Sequence, residues 1–375
     1  MKTARGNLKR RWPACAALAG IFLLWVAGCG RPAEKTAVEG PEELMLPEQG
    51  AYTGAYIDFG DTEDEVTLEA LESFEKMVGK KQAIIASSSW WGEQSFPARN
   101  VRIISAYGAE PLVYWSPWDK PYRENKSPDR FNLPSIAEGK WDAYIDRWAD
   151  EAKAYGRPLL VAWGLEMNGT WFPWSGYFYG KGKTTAEGPA GPVLYKKAYR
   201  HVVDRVRARG ARNIRWVFHC QDYSDPQESW NTMEAYYPGS AYVDWLGLSV
   251  YGQQFRHEKW TYFHDVMDYP YREICAVDPA KPVMLAEWGV GEFPTSGSKE
   301  AWIREGFEQM RNKYPRLKTA VFWHERWQNA DDSYSNLRVN SSPEALRAYR
   351  EGVADPFWIG RPLFRPSPRG SAEAR

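Results

Sequence analysis

Short apolar runs alternate with longer stretches of helical periodicity through most of this chain of 375 residues. Eight runs are too short for helices and read as buried strands: Ala55–Phe59, Ala83–Ser88, Pro111–Trp115, Leu159–Trp163, Arg215–His219, Trp245–Val250, Val283–Ala286 and Ala320–Trp323. The intervening segments predict helices over Thr62–Gly79, Arg99–Tyr107, Trp141–Tyr155, Leu194–Arg209, Phe263–Val277 and Lys299–Tyr314, with a short one at Trp230–Tyr236 and a last one at Pro343–Val353. Asp61 or Thr62 is the expected cap of the first helix. Strands that alternate with helices pair in parallel through right-handed crossovers, so we predict an α/β fold, a (β/α)8 TIM barrel, as a single catalytic domain over residues 51–355.

The start of the chain resembles a bacterial lipoprotein signal. Five basic residues precede an apolar run from about Ala14 to Ala27, and Val26-Ala27-Gly28-Cys29 follows. The apolar run is too short for a convincing membrane span. We therefore expect a signal peptide at 1–28, then a lipidated Cys29 and a flexible tether at 29–50; an ordinary secretory signal with a chance cysteine is the alternative. The resemblance implies a lipid anchor in the cell envelope, at the outer membrane of a Gram-negative bacterium.

Charge and cysteine content exclude several classes of partner. Residues 1–28 carry five of the 48 basic residues and none of the 48 acidic ones, so the remainder has a net charge of about −5. No basic tract follows, which argues against nucleic acid. Cys220 and Cys275 remain after the signal and the anchor, either as a disulfide or as buried thiols. No Cys or His cluster has metal-ligand spacing, so we expect no metal and no cofactor. We expect a monomer, and a C-terminal tail at 356–375 that packs partly through Phe357 and Trp358.

Two carboxylates stand where buried strands end. Glu166 follows the apolar run Pro158–Trp163, and Glu287 follows Pro282–Ala286. Active sites of such barrels lie at the carboxyl ends of the strands. Two carboxyl groups that face each other there can cleave a glycosidic bond, one as acid and then base, the other as nucleophile. A rim ion pair with a nearby arginine is the structural alternative for each glutamate.

Aromatic residues gather at the same strand ends. Tryptophan outnumbers phenylalanine, 20 to 15. Packing alone favours Leu, Ile and Phe, which carry no N–H to satisfy, whereas flat sugar rings stack on aromatic faces. The strand ends therefore supply candidate sugar-binding residues: Trp115, Asn168, Trp171, Trp174, His219, Tyr251, Trp288 and Trp323. The alternative is that these tryptophans belong to the core.

The chain resembles glycoside hydrolase family 26, a family of retaining (β/α)8 enzymes. The resemblance rests on Glu166-Met167-Asn168-Gly169 with Trp171 five residues after the Glu, on Tyr251, on Ala286-Glu287-Trp288-Gly289 and on Trp323. It implies Glu166 as acid/base, Glu287 as nucleophile and Tyr251 as the hydrogen-bond partner of Glu287. It also implies Trp171 and Trp323 as aromatic platforms.

Family resemblance favours an endo-acting β-1,4-mannanase. One departure stands out: the family usually has His directly before the acid/base, and Leu165 occupies that position here. This puts the preference for mannose in doubt more than the chemistry. The alternatives are another β-linked polymer (β-1,3-xylan, mixed-linkage β-glucan or a bacterial exopolysaccharide) or a carbohydrate-binding lipoprotein that has lost turnover.

Overall fold

The computed structural model describes residues 42–121 and 127–366. Within these ranges eight parallel strands form the barrel: β1 (Ala51–Ile57), β2 (Ile84–Trp90), β3 (Glu110–Ser116), β4 (Leu159–Trp163), β5 (Ile214–Gln221), β6 (Trp245–Tyr251), β7 (Val283–Gly289) and β8 (Leu317–His324). Each strand pairs with its neighbours in sequence, and β8 pairs with β1 to close the sheet, with Trp323 opposite Tyr56. The predicted TIM barrel is confirmed.

Helices surround the barrel: α1 (Leu68–Val78), α2 (Ala98–Tyr107), α3 (Leu133–Ala137), α4 (Asp142–Tyr155), α5 (Ala190–Ala208), α6 (Met233–Tyr236), α7 (Phe263–Val277), α8 (Lys299–Asn312) and α9 (Pro343–Ala354). Polar side chains cap several of them; the Ser298 hydroxyl, for example, accepts from the Ala301 N–H at the start of α8. Short elements complete the fold: 3₁₀ turns at Trp91–Glu93 and Gly176–Phe178, a hairpin of Thr184–Thr185 with Gly188–Pro189, and a hairpin of Arg326–Gln328 with Tyr334–Asn336.

The start of α1 differs from the prediction. Its cap is Thr67, whose hydroxyl accepts from the Ala70 N–H, and not Asp61 or Thr62. The Thr62 hydroxyl instead donates to Asp64 at 2.6 Å. The residues before Thr67 form a loop from the end of β1, which brings Glu63 to the mouth of the barrel.

Several strands extend further toward their carboxyl ends than predicted. His219 lies inside β5, Tyr251 ends β6 and Glu287 lies inside β7. Polar side chains at these positions do not interrupt the backbone pairing between neighbouring strands. Tyr251 and Glu287 are therefore held by the rigid sheet, whereas Glu166 and Trp171 lie in the loop after β4.

The amino ends of the strands are closed by the two described ends of the chain. Glu42–Leu44 pairs antiparallel with Phe364–Pro366, and Trp358–Ile359 adds to the edge of β1. The Glu43 carboxylate accepts from Arg215 at 2.5 Å and from Arg365 at 2.6 Å. The tail was predicted to pack partly through Phe357 and Trp358; Trp358 is buried and Phe357 packs partly buried against the core, which confirms this.

Other expectations fall partly or wholly outside this description. The signal at 1–28, Cys29, the tether up to residue 41 and the tail from residue 367 lie outside the described residues. Cys220 and Cys275 are both free thiols. Of the helices in the described part of the chain, none is long and apolar enough to span a bilayer.

Candidate active site

An open cleft of about 1190 Å³ lies over the carboxyl ends of the barrel strands. Five of the predicted residues line it: Glu166, Glu287, Trp171, Tyr251 and Trp323. They come from the loop after β4, from β6, from β7 and from β8. The fold thus gathers at one end of the barrel residues that lie up to 157 positions apart (166 to 323) in the sequence.

Glu166 is aimed into the cleft by an unusual turn after β4. Gly164 and Glu166 have positive φ angles of 57° and 51°. A positive φ costs a non-glycine residue free energy, and such strain clusters at functional sites. The Glu166 N–H donates to the His219 carbonyl oxygen at 2.7 Å, and the Trp171 Nε1–H donates to its carboxylate at 2.6 Å. Backbone and side chain are both fixed, which suits a group that must hold one position.

Glu287 is re-aimed by an irregularity in the sheet. The pairing of β7 with β6 shifts register between Leu285 and Glu287, and such a shift turns a side chain toward a new direction. The Tyr251 hydroxyl donates to the Glu287 carboxylate at 2.7 Å. This is the contact that the family resemblance implies.

The two carboxylates face each other at short range. A carboxylate oxygen of Glu166 and one of Glu287 lie within 4.8 Å. Retaining glycosidases hold their carboxyl groups about 5–5.5 Å apart, whereas inverting enzymes leave about 6.5–9.5 Å for a water molecule. The spacing matches the retaining geometry.

Burial dominates the electrostatics of this pair. Burial raises the pKa of Glu166, against the hydrogen bonds from Ser249 and Trp171, which lower it. Burial also raises the pKa of Glu287 well above its usual value, as does the negative charge of Glu166, while the hydrogen bond from Tyr251 lowers it. Two close carboxylates resist simultaneous ionisation, so loss of the second proton from the pair is shifted to higher pH. One protonated acid beside one carboxylate is the state that glycosidic cleavage requires.

His219 lies beside the carboxylates without lining the cleft. Glu166, His219 and Glu287 each place one potential ligand atom within 4.8 Å of the other two. The protein already uses these groups: Nε2 of His219 hydrogen-bonds to the Ser249 hydroxyl at 2.8 Å, and Trp171 and Tyr251 donate to the two glutamates. We assign no metal to this cluster.

Four predicted sugar-binding residues are buried away from the cleft: Asn168, Trp115, Trp174 and Trp288. Trp115 donates its Nε1–H to the Tyr144 hydroxyl at 2.9 Å, and Trp174 donates to the Leu165 carbonyl at 2.6 Å. Trp288 stacks on Trp302 of α8. These contacts correct the prediction that the three tryptophans touch substrate, because each ring packs into the protein.

Asn168 has a different task in the same region. Its side-chain amide donates to the Gln221 carbonyl at 3.1 Å, and its side-chain oxygen accepts from the Gln221 N–H at 3.0 Å. It therefore ties the loop after β4 to the end of β5. Its role is to hold the backbone near Glu166 and not to touch sugar.

The cleft also contains groups that the sequence reasoning did not select. Glu63 accepts from the Ser88 hydroxyl at 2.6 Å, and Glu325 accepts from the Trp323 Nε1–H at 2.7 Å. Burial, together with the charge of Glu63, raises the pKa of Glu325 to about 8. Glu325 follows a predicted strand in the same manner as the catalytic candidates, so its position was a usable signal. Glu63 sits in a loop, and no strand pattern marks it.

Comparison with known proteins agrees with this geometry. A sequence model described as "Glycosyl hydrolase family 26" matches residues 88–331. "Endoglucanase H" of Acetivibrio thermocellus is 31% identical over 288 residues, which cover 76% of this chain and 29% of that protein. A "Mannan endo-1,4-beta-mannosidase" of Bacillus subtilis is 25% identical over 246 residues, covering 64% of this chain and 59% of the relative. "Beta-1,3-xylanase TXYA" of a Vibrio species is 23% identical over 250 residues, covering 60% and 50%. The chain thus spans less than two thirds of the length of these relatives.

Solved structures share the fold. A Cellulomonas fimi endo-beta-1,4-mannanase double mutant superposes with a TM-score of 0.59 at 18% identity, covering 83% of this chain and 72% of that one. The catalytic domain of a Bacillus sp. JAMB-750 endo-beta-1,4-mannanase gives 0.59 at 19% identity, covering 83% and 87%. At these identities the likeness concerns the barrel alone.

Proposed function

Because this chain belongs to glycoside hydrolase family 26, we propose that it is an endo-acting glycanase that cuts a neutral β-linked polysaccharide, with Glu166 as acid/base and Glu287 as nucleophile. The observation that carries the proposal is the approach of the two carboxylates to within 4.8 Å at the carboxyl ends of β4 and β7.

The proposed reaction proceeds in two steps. Glu287 attacks the anomeric carbon while Glu166 gives its proton to the departing glycosidic oxygen, which leaves a covalent glycosyl-enzyme. Glu166, now a carboxylate, then takes a proton from a water molecule that attacks the same carbon. The bond to Glu287 breaks, and the sugar is released with its original configuration.

The charge of the cleft wall supports a neutral substrate. Among the described lining residues eight are carboxylic acids and two are lysines: Asp61, Glu63, Asp129, Glu166, Asp222, Glu258, Glu287 and Glu325 against Lys120 and Lys259. Burial raises the pKa of four of these acids and so reduces their charge: Glu166, Asp222, Glu287 and Glu325. The four other acids still outnumber the two lysines, so the cleft wall would repel a polymer of uronic acids. Trp171, Trp323 and Trp327 add flat aromatic surface for uncharged sugar rings.

β-1,4-Mannan is the first candidate substrate. Its support is the family resemblance of the Glu166 segment and the mannanase names of several relatives. The ring of Trp323 stacks on that of Tyr56, with ring centroids 4.0 Å apart. This contact fixes the orientation of Trp323 as an aromatic platform beside the carboxylates.

A β-glucan is the second candidate, and a specific residue favours it. Leu165 lines the cleft directly before Glu166, in place of the histidine that the mannanase-like pattern carries. The relative with 31% identity is named an endoglucanase. An apolar Leu165 offers no hydrogen bond to a sugar hydroxyl, so it cannot favour mannose through such a contact.

Reducing-sugar release from mannan, mixed-linkage β-glucan, β-1,3-xylan and a bacterial exopolysaccharide tests both candidates. We expect release from mannan or from the β-glucan, with oligosaccharides of several lengths appearing early because cleavage is internal. The Glu287→Ala variant is the control and should release nothing. Binding of a polymer without release by the wild type would instead support a carbohydrate-binding protein.

Azide separates the roles of the two carboxylates. On an activated aryl glycoside, Glu166→Ala should keep the first step, accumulate the glycosyl-enzyme and regain turnover with azide, giving a β-glycosyl azide. Glu287→Ala should give only the α product, because azide attacks from the vacated face. Opposite anomers would mean that the two assignments are exchanged.

A further inference from the structure

A buried serine connects Glu166 to a histidine that the proposed mechanism does not use. Ser249 lies on β6 and His219 on β5, and both side chains are fully or almost fully buried. Nε2 of His219 and the Ser249 hydroxyl oxygen are 2.8 Å apart. The Ser249 hydroxyl also faces the Glu166 carboxyl and lowers its pKa, and a carboxylate oxygen of Glu166 lies within 4.8 Å of a ring nitrogen of His219. The three side chains therefore form one buried cluster.

The surroundings of His219 determine which way these hydrogen bonds run. Burial lowers the pKa of His219 to about 3, so the imidazole is neutral and carries one proton. Nδ1 is buried, and no residue in the described part of the chain forms a hydrogen bond with it. A buried N–H without an acceptor is rare in proteins, so Nδ1 is the nitrogen that carries the lone pair. The proton then sits on Nε2, which donates to the Ser249 oxygen.

We infer that His219 and Ser249 are positioning residues for the acid/base. His219 donates to the hydroxyl oxygen of Ser249, and the single hydroxyl hydrogen of Ser249 therefore points at Glu166. This inference rests on the proposed function, in which Glu166 is the acid/base. His219 was predicted to bind sugar, and its burial gives it this indirect task instead.

The orientation matters because the other titratable groups that face Glu166 do not stabilise its charge. The titratable side chains that face it are Glu287, Asp222, Cys220, His219, Tyr114, Tyr223 and Tyr251. None of these is a cation, and two are acids. The hydrogen bonds from Ser249 and Trp171 therefore oppose the effect of burial on Glu166. They favour the carboxylate that the second step needs as its base.

A pH profile tests this role. The basic limb of kcat/KM reports loss of the proton from the acid, so Ser249→Ala should move that limb upward by about one pH unit, the usual effect of one hydrogen bond to a charged group. Ser249→Thr keeps the hydroxyl and should restore the wild-type limb. His219→Leu should move the limb in the same direction, and the double variant should add little. A limb that stays in place in Ser249→Ala would overturn the inference.

NMR gives a readout that needs neither turnover nor a substrate. In the wild type, imidazole nitrogen shifts should show the His219 proton on Nε2; a proton on Nδ1 would overturn the inference without any variant. The labelled Glu166 carboxyl carbon should titrate at higher pH in Ser249→Ala. Ser88→Ala is the control, because it removes a hydroxyl that donates to a different carboxylate, that of Glu63; the titration of Glu166 should not change in this variant. If the Glu166 titration moves while activity does not, the hydrogen-bond chain stands and the acid/base role of Glu166 fails.

Discussion

Replacing Tyr251 by phenylalanine removes one hydroxyl from the site and little else. That hydroxyl donates to the Glu287 carboxylate at 2.7 Å and lowers the pKa of this group against the effect of burial. A hydrogen bond to a charged group is worth about 1.5–3 kcal/mol, which corresponds to a fall of roughly 10- to 150-fold in kcat/KM. We expect a loss in this range for Tyr251→Phe.

The sign of the pH effect follows from the same contact. Glu287 must be ionised to attack, so activity is lost as pH falls through its pKa. Tyr251→Phe removes an interaction that lowers this pKa, so the acid limb of kcat/KM should move to higher pH. The loss of activity should therefore be greatest at low pH.

The assay is kcat/KM against pH on the polysaccharide that the substrate panel identifies. Tyr114→Phe is the matched control, because the Tyr114 hydroxyl donates to the Ala286 carbonyl at 2.8 Å and not to a carboxylate. The acid limb of the kcat/KM profile of Tyr114→Phe should coincide with that of the wild type. If Tyr251→Phe stays within threefold of wild type with an unmoved acid limb, the role of this hydrogen bond is refuted.

Four further predictions concern the fold, the chemistry and the anchor. Burial lowers the pKa of Lys299 to about 7 from its ordinary 10.5. Between these values the unfolded chain binds more protons than the folded one, so the unfolding free energy should rise with pH from about 7 to 10. Urea titrations at several pH values should show this rise for the wild type and not for Lys299→Met. Arg215→Ala leaves the buried Glu43 carboxylate with one partner fewer and should lower the unfolding free energy by about 3 kcal/mol in the same assay. An unchanged urea midpoint would mean that the contacts of Glu43 with Arg215 and Arg365 do not stabilise the amino ends of the barrel strands. A chelator should leave activity intact, since two carboxylates suffice for the reaction, and specific recovery by one metal would contradict this. Cys29→Ala should turn a membrane-bound enzyme into a soluble, active one, and a wild type without lipid would disprove the anchor.

Most of the barrel follows from simple patterning. Each strand is an apolar run buried on both faces, and such runs stand out between amphipathic helices. Glu166 and Glu287 could be identified because a charge directly after a buried strand has few structural uses. The strand ends were harder to place, since Glu287 and Tyr251 continue the backbone pairing despite their polar side chains.

The tryptophans show what patterning cannot resolve. Trp115 and Trp323 both end a predicted strand, yet one is buried against α4 and the other lines the cleft. The difference depends on partners distant in sequence, such as Tyr144, which accepts from the Trp115 N–H, and Tyr56, which stacks on Trp323. Glu63 was missed for a related reason, because a loop and not a strand carries it to the site.

The pairing of the two described chain ends below the barrel strands has a practical consequence for attaching this enzyme to a solid support. The described ends, Glu42–Leu44 and Phe364–Pro366, pair with each other at the amino ends of the strands, on the side opposite the cleft. A linker fused at either end would thus leave the cleft facing outward, and an insoluble polymer could be presented to it without steric hindrance from the support. Coupling through lysines cannot guarantee this orientation, because Lys120 and Lys259 stand at the cleft itself.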